Sequence, residues 1–183
     1  LNYLDKYVDE FIIIESKYNH KGEKRDPQFD INKFSEFKKK IRYLLIDEQP
    51  EGIEEILTKD TENEKTRKLI FNAAKRENFQ RNSISKKIND ASDTDWIIIS
   101  DLDEIPNPKK LKLFEKKMRY AVFKQMHFYY KFNLQSQINP YWYGSRICLK
   151  KYLKSPQWLR GLKFKRRPFW RLDKMRLNNI IED

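Results

Sequence analysis

A short apolar segment that stops at a cluster of acids constrains this chain more than any other stretch. Residues 96–106 read Trp-Ile-Ile-Ile-Ser-Asp-Leu-Asp-Glu-Ile-Pro, so Asp101, Asp103 and Glu104 directly follow a run of isoleucines. The pattern predicts a buried strand with acids at its carboxyl end, the edge at which open α/β sheets bind ligands. A divalent cation, Mg²⁺ or Mn²⁺, is the simplest charge to hold such acids together. A solvated acidic turn is the alternative.

The rest of the chain predicts an α/β fold in which a mostly parallel central sheet is flanked by helices. Apolar runs at 11–14, 43–46 and 96–100 predict buried strands. Apolar residues at helical spacing predict a helix near 34–41, a helix-rich segment over 64–90 and a helix that starts at Asn107-Pro108. Alternation over 127–134 predicts another strand, and 145–149 a further one. No boundary divides the 183 residues, so we expect one domain over 1–183.

Charge sets the class of partner that we expect. Against 27 acidic residues stand 39 Lys and Arg, a net charge of +12, which attracts nucleic acid, membrane headgroups or phosphorylated substrates. Basic residues and aromatics interleave over 150–176, including Lys163, Arg166 and Arg167. Such interleaving is what a groove for single-stranded nucleic acid needs, and a half-buried surface in a Lys-rich chain is the alternative. For this segment we expect an anionic acceptor or membrane surface rather than nucleic acid. Cys148 stands alone in an apolar run, which excludes an internal disulfide and indicates a core residue and a reducing compartment.

Further polar and aromatic residues are candidates for ligand binding. Arg76 and Arg81 are available to contact phosphate or base, and Arg81 and Asn82 interrupt the apolar stripe of their helix. An exposed polar turn is the alternative for that pair. Trp142 and Tyr143 precede Gly144 and are predicted to line an acceptor or sugar pocket, since flat aromatic faces suit sugar C–H surfaces. Packing in the core is the alternative.

Three segments together resemble glycosyltransferase family 17. They are Phe-Ile-Ile-Ile-Glu-Ser with Asn-His-Lys-Gly over 11–22, Arg-Glu-x-x-Gln-Arg-Asn over 76–82, and Ile-Ile-Ser-Asp-Leu-Asp-Glu-Ile-Pro over 98–106. That family includes the transferase that adds the bisecting N-acetylglucosamine to N-glycans. The resemblance implies a Rossmann-like GT-A core and an inverting transfer from a UDP-sugar to a glycan acceptor, with Mn²⁺ or Mg²⁺. It implies that Asp101 lies near ribose and metal, that Asp103 binds the metal, and that Glu15 reads the base.

The catalytic base of an inverting transfer must be a carboxylate near the acceptor hydroxyl. Glu104, Glu182 and Asp183 are the candidates. The resemblance also implies that the chain lacks the first strand of the family and a C-terminal segment that contains a histidine. We expect an anionic or lipid-linked acceptor and peripheral membrane contact. The location would be cytoplasmic for a bacterial or viral relative and the Golgi lumen for a eukaryotic one.

Two other functions stay open from the residues. One is a non-enzymatic protein that binds nucleic acid or an anionic surface. That function does not explain the acids at three predicted strand ends, Glu15, Asp47 and Asp101. The other is a phosphatase like the haloacid dehalogenases, whose motif also contains Asp-x-Asp. That chemistry favours Thr or Val two residues after the second acid, where this chain has Ile105. If the protein is a glycan-modifying enzyme, we expect nucleic acid less than a glycan as its partner.

Overall fold

The chain divides into two compact units, Leu1–Asp90 and Ala91–Asp183. The structure, a computed structural model, describes residues 1–114, 118–130, 133–163 and 179–182. No helix in those ranges combines the length and apolarity that crossing a membrane requires. That residues 1–183 form one catalytic domain stays a prediction.

The first unit pairs two parallel strands beside one long helix. Strands β1 (Phe11–Ser16) and β2 (Ile41–Ile46) run in register from Phe11 opposite Ile41 to Ser16 opposite Ile46. Helix α1 spans Glu62–Asn82, and its first turn is closed by a capping box between Thr61 and Glu64. Short 3₁₀ helices cover Asp5–Tyr7, Ile31–Phe37 and Ser83–Lys87. The two apolar runs and the helix-rich segment were therefore predicted correctly.

The helix predicted near 34–41 is wrong in kind. The segment forms 3₁₀ turns over Ile31–Phe37, with Phe34 outside helical geometry. Ile41 instead begins β2 and pairs with Phe11. The apolar spacing that predicted a helix thus arises from two elements, because Phe37 is buried and Ile41 belongs to the next strand.

The second unit contains a five-stranded mixed sheet. Its strands are β3 (Trp96–Ile99), β4 (Tyr120–Met126), β5 (Tyr141–Trp142), β6 (Arg146–Leu149) and β7 (Ile180–Glu182). The order is β3-β6-β4-β5, and β7 also pairs with β4. Asn107 caps a helix that starts at Pro108, as predicted, but this helix is 3₁₀ and ends at Leu113. Helix α2 spans Pro156–Gly161. The hydrophobic core of the second unit contains Phe114, Ala121, Phe123, Ile147, Leu149 and Ile181.

The class of mixed α and β structure is confirmed, but the strand directions differ from the prediction. Among the described strands, β1–β2 and β4–β7 are parallel, whereas β3–β6, β4–β6 and β4–β5 are antiparallel. The expected mostly parallel central sheet is therefore not what these strands form. An uninterrupted apolar run indicates that a strand is buried, yet it carries no information about the direction of its neighbours.

The strand predicted over 127–134 is displaced. The structure places β4 over Tyr120–Met126, where Ala121, Val122 and Phe123 are all buried. Of the predicted segment, residues 127–130 and 133–134 are described, and they contain an isolated bridge between Phe128 and Gln135 and a hydrogen bond from the Tyr129 N–H to the Leu134 carbonyl. Phe128 is partly buried, whereas its neighbours Tyr129 and Tyr130 are both exposed, so the described residues do not show the two faces of a strand. Cys148 is fully buried, as predicted.

Candidate active site

The acidic motif forms a closed turn directly after β3. The Glu104 N–H donates to the Asp101 carbonyl at 3.0 Å, and the Asp101 N–H donates to Glu104 Oε2 at 3.1 Å. Glu104 is buried, whereas Leu102 and Asp103 face solvent. The turn therefore sends its acids in different directions, Glu104 inward and Asp103 outward.

A guanidinium group lies against the buried side of this turn. Arg160 of α2 donates to Asp101 Oδ2 at 2.7 Å and also to Glu104 Oε1. The Arg160 side chain is 11% exposed, that of Glu104 is 5% exposed and that of Asp101 is 41% exposed. Burial alone would lower the pKa of Arg160, but the charges of Glu104 and Asp101 outweigh it and raise that pKa. Arg160 is thus a permanent cation that holds two acids of the motif together.

Trp142 contacts the same buried acid. Its indole Nε1 donates to Glu104 Oε1 at 2.5 Å, while 47% of the residue stays exposed. Gly144 makes this contact possible, because a Cβ at that position would overlap both the Glu104 carboxylate and the Trp142 indole nitrogen. The structure therefore brings Trp142 and the acidic motif together. Their roles toward a ligand stay predictions.

A second arginine supports the loop from below. Arg146 in β6 is 5% exposed and donates to the Tyr143 carbonyl at 2.6 Å and to the Gly144 carbonyl, which Arg160 also contacts. Burial, and then the charge of Arg160, lowers the pKa of Arg146 to about 10. Its Nε is buried and has no hydrogen-bond partner in the described part of the chain. The backbone of Tyr143 is thereby fixed beside Trp142.

Neither arginine was singled out from the sequence. Arg146 is the first residue of a short strand that is otherwise apolar, and a charge directly beside such a run is a signal of a buried partner. Arg160 lies in the basic segment over 150–176, where composition gives no means of separating one arginine from its neighbours. Only the fold shows that it reaches Asp101, which lies 59 positions away in the sequence.

In the first unit, Glu15 closes the loop that follows β1. Its carboxylate accepts hydrogen bonds from the N–H groups of Gln28 at 2.7 Å and Phe29 at 3.1 Å, and from the Tyr43 hydroxyl at 3.0 Å. Burial alone would raise the pKa of Glu15, but these hydrogen bonds and the charge of Arg25 together lower it. Both carboxylate oxygens therefore bind the protein's own chain. Base recognition by Glu15 stays a prediction.

The predicted nucleotide-binding residues of α1 lie in the last third of that helix. Arg76 Nε donates to Gln49 Oε1 at 2.8 Å and its Nη1 donates to the His20 carbonyl at 2.9 Å. Arg81 forms an ion pair with Glu77 at 2.8 Å, one helical turn away, and Asn82 is the last residue of α1. Both arginines thus contact groups of the protein itself, and nucleotide contact stays a prediction.

A cleft of about 330 Å³ opens where β1 and β2 end in the first unit. Its lining residues are mostly charged: Lys17, Lys24, Arg25, Asp26, Pro27 and Asp47. Lys17 and Asp47, which directly follow the two strands, form an ion pair at 2.6 Å. The sequence placed Asp47 at this edge, but the cations beside it were not singled out.

The acidic motif has ligands of the kind that a divalent cation prefers. Within the described ranges, no group of three His, Cys, Asp or Glu side chains is arranged to hold an ion. Mg²⁺ usually takes only one or two protein carboxylates and completes its shell with substrate phosphates and water. Asp101 and Asp103 supply such hard oxygens at a partly exposed position. The metal site stays a prediction.

Some predicted residues lie outside the described ranges. These are Asp183, one of the base candidates, and Arg166 and Arg167 of the basic segment. Lys163, the last described residue before that gap, is exposed. Glu182, the remaining base candidate, ends β7 and forms an ion pair with Lys124 at 2.9 Å.

Comparison with protein families identifies one match. Residues 1–154 match the sequence model described as Glycosyltransferase family 17. Searches of the curated proteins and of the solved structures gave no match. The matched range contains the acidic motif and Trp142, and it ends before Arg160.

Proposed function

The chain belongs to glycosyltransferase family 17, and on that premise we propose that it transfers a sugar from a UDP-sugar to a glycan acceptor with inversion. N-acetylglucosamine is the favoured sugar. A nucleotide-sugar donor and a glycan acceptor follow from the family in general. The identity of the donor, the stereochemistry and the need for a metal are the proposed parts. We also propose a GT-A core, supported by the parallel β1–β2 pair that α1 accompanies.

The observation that carries this proposal is the arrangement around the turn after β3. Three acids lie within four residues, one of them is buried against Arg160, and a half-exposed indole contacts the same carboxylate. A turn that buries Glu104 needs a partner such as Arg160 for stability alone, but it does not need a half-exposed indole on the same carboxylate. A site that binds a charged donor next to a sugar has a use for both kinds of group.

On the donor side, we propose that Asp101 and Asp103 hold Mn²⁺ or Mg²⁺ together with the donor diphosphate. When bound, such an ion neutralises the charge that develops on the leaving diphosphate. Arg160 keeps the Asp101 carboxylate in place, since it contacts Oδ2 at 2.7 Å. Asp103 is exposed, so a ligand can reach it without breaking the ion pairs that Arg160 makes with Asp101 and Glu104.

On the acceptor side, we propose that Trp142 stacks on the reacting sugar and that Tyr143 lies beside it. The hydrogen bond from Trp142 Nε1 to Glu104 fixes the ring while leaving part of it exposed. Both Glu104 oxygens accept hydrogen bonds from the chain, which favours a positioning role for Glu104 over that of general base. Removal of the acceptor proton then falls to another carboxylate, and Asp183 remains the proposed candidate.

Calorimetric titration with UDP in the presence and absence of Mn²⁺ tests the donor site. We expect Mn²⁺-dependent UDP binding in the parent chain and at least a tenfold loss of it in Asp103→Asn, with the fold retained because Asp103 is exposed. Asp93→Asn is the matched control, an exposed aspartate of the same unit outside the motif. Equal UDP affinity in the parent and in Asp103→Asn would refute the assigned site.

A further inference from the structure

A row of aromatic rings continues from Trp142 across the second unit. The His127 ring lies 5.6 Å from Trp142 between centroids, Tyr129 lies 4.9 Å from His127, and Tyr130 lies 6.5 Å from Tyr129. We call Trp142, His127, Tyr129 and Tyr130 the aromatic row. Its first ring contacts the acidic motif through Glu104, so the row begins at the proposed active site.

Three rings of the row are held in place by hydrogen bonds, although Trp142 and Tyr129 among them are exposed. Trp142 is bound to Glu104, His127 Nδ1 lies 3.1 Å from the Asn139 carbonyl, and the Tyr129 hydroxyl accepts from Ser136 Oγ at 3.3 Å. Ser136 itself is buried. Rings that are fixed before binding lose little conformational entropy when a ligand stacks on them.

The far end of the row is the most unusual. Tyr130 is wholly exposed and adopts a φ of 55°, the one positive φ of a non-glycine residue in the described part of the chain. That conformation is costly for a bulky side chain, and residues held in it cluster at ligand-binding sites. Tyrosine is a poor choice for a solvent-exposed left-handed turn unless its ring has a use.

One segment of the chain beside the row is polar and uncharged, although Trp142 itself contacts the Glu104 carboxylate. Residues 132–145 form the longest stretch without an acidic or basic side chain, in a chain of which 36% of residues are charged. Exposed amides from that stretch lie at Asn133, Gln135, Gln137 and Asn139. Aromatic faces bordered by neutral donors and acceptors match a sugar, which presents apolar C–H faces and hydroxyl groups at once.

We propose that the aromatic row is an extended acceptor subsite that binds successive pyranose rings of a neutral oligosaccharide. This inference rests on the proposed glycosyltransferase function and names its acceptor class. Trp142 contacts the sugar nearest the acids, and Tyr129 and Tyr130 contact sugars farther along the glycan. The absence of charge along 132–145 distinguishes this occupant from the anionic acceptor expected from the basic segment.

The test measures glycan binding without any donor, so its outcome is independent of the UDP titration. Chitobiose, chitotetraose and mannotetraose are titrated calorimetrically into the chain and into Tyr130→Ala, Tyr130→Trp and Tyr7→Ala. We expect a tetrasaccharide to bind more tightly than the disaccharide. Tyr130→Ala should weaken tetrasaccharide binding roughly two- to tenfold, the range for loss of one aromatic contact, and leave chitobiose binding unchanged.

The other variants separate stacking from folding. Tyr130→Trp keeps a ring and should retain tetrasaccharide affinity, and Tyr7→Ala removes an exposed tyrosine of the other unit and should change nothing. The proposal fails if neither tetrasaccharide binds, or if Tyr130→Ala binds both as the parent does. It also fails if sedimentation shows that Tyr130→Ala breaks a dimer, because the row would then bind a second copy. If the parent chain binds the tetrasaccharide but not UDP, the proposed donor site is refuted and the proposed acceptor subsite is not.

Discussion

Removal of Arg160 is the perturbation that the structure makes most informative. The Arg160→Met change keeps most of the side-chain volume and deletes the charge that faces Asp101 and Glu104. Asp101 is 41% exposed, so water screens much of its loss. Glu104 is 5% exposed and becomes a buried carboxylate without a cation in contact.

Breaking a buried ion pair by removing one partner typically costs about 3–5 kcal/mol. Glu104 keeps the hydrogen bonds from Trp142 Nε1 and from the Asp101 N–H, which continue to solvate its charge. We therefore expect the low end of that range, about 3 kcal/mol, a large part of the roughly 5–15 kcal/mol by which a domain is stable. Urea unfolding followed by far-ultraviolet circular dichroism measures this loss.

A double variant identifies the cause of the loss. Glu104→Gln removes the stranded charge but also one acceptor, because its amide nitrogen faces either the Trp142 indole N–H or the Asp101 N–H. Trp142 is half-exposed and its N–H can turn to water, so Arg160→Met with Glu104→Gln should still be more stable than Arg160→Met alone. Lys109→Met is the matched control, an exposed cation of the same unit whose loss should stay within about 0.5 kcal/mol. The reasoning is refuted if Arg160→Met unfolds at the parent's urea concentration, or if the double variant is no more stable than the single one.

Two further predictions concern tight packing and pH. Gly144→Ala should displace the Glu104 carboxylate or the Trp142 indole, because the new methyl group overlaps both. We expect a loss of at least about 2 kcal/mol in unfolding free energy and a shifted tryptophan emission. Gly161→Ala, whose methyl group meets no atom within 4 Å, should be harmless, and equal stabilities of the two variants would contradict the packing argument. Because the pKa of Glu15 is lowered in the folded state, its charge stabilises that state above the unfolded pKa of about 4.3, and this contribution is lost as pH falls from there through the folded pKa. Urea unfolding of Glu15→Gln should therefore show a smaller loss of stability across that pH window than unfolding of the parent. Parallel plots of stability against pH would exclude Glu15 as a cause of the acid sensitivity.

The local elements of the fold were predictable because they depend on near neighbours in the sequence. Isoleucine-rich runs identified β1 and β3, since such segments are stable only when buried. Asn107 before Pro108 identified a helix start, because the side chain accepts from the Lys109 N–H and proline has no N–H to satisfy. The family resemblance rested on the same local motifs and is confirmed.

The long-range pairings were not predictable in this way. β3 lies antiparallel to β6, and nothing in either short apolar run specifies the direction of its neighbour. The Arg160 contact to Asp101 depends on that sheet and on α2 together, so it emerges only from the fold. Local chemistry singled out the acids and Trp142 as candidates. Arg160, the cation that contacts Asp101 and Glu104, lies in a segment interpreted as surface charge.

The position of β6 has a consequence for the synthesis of the protein. β6 lies between β3 and β4 in the sheet, although the ribosome makes it after both. Until Leu149 is added, β3 lacks the neighbour to which its backbone N–H and C=O groups bind. Because β3 leaves the ribosome before β6, its edge is open to pairing with other chains while residues 100–149 follow, about 2.5 to 10 seconds at about 5–20 residues per second. Slow translation through this stretch should therefore favour aggregation on the ribosome, and chaperones that shield nascent strands should raise the yield of folded protein.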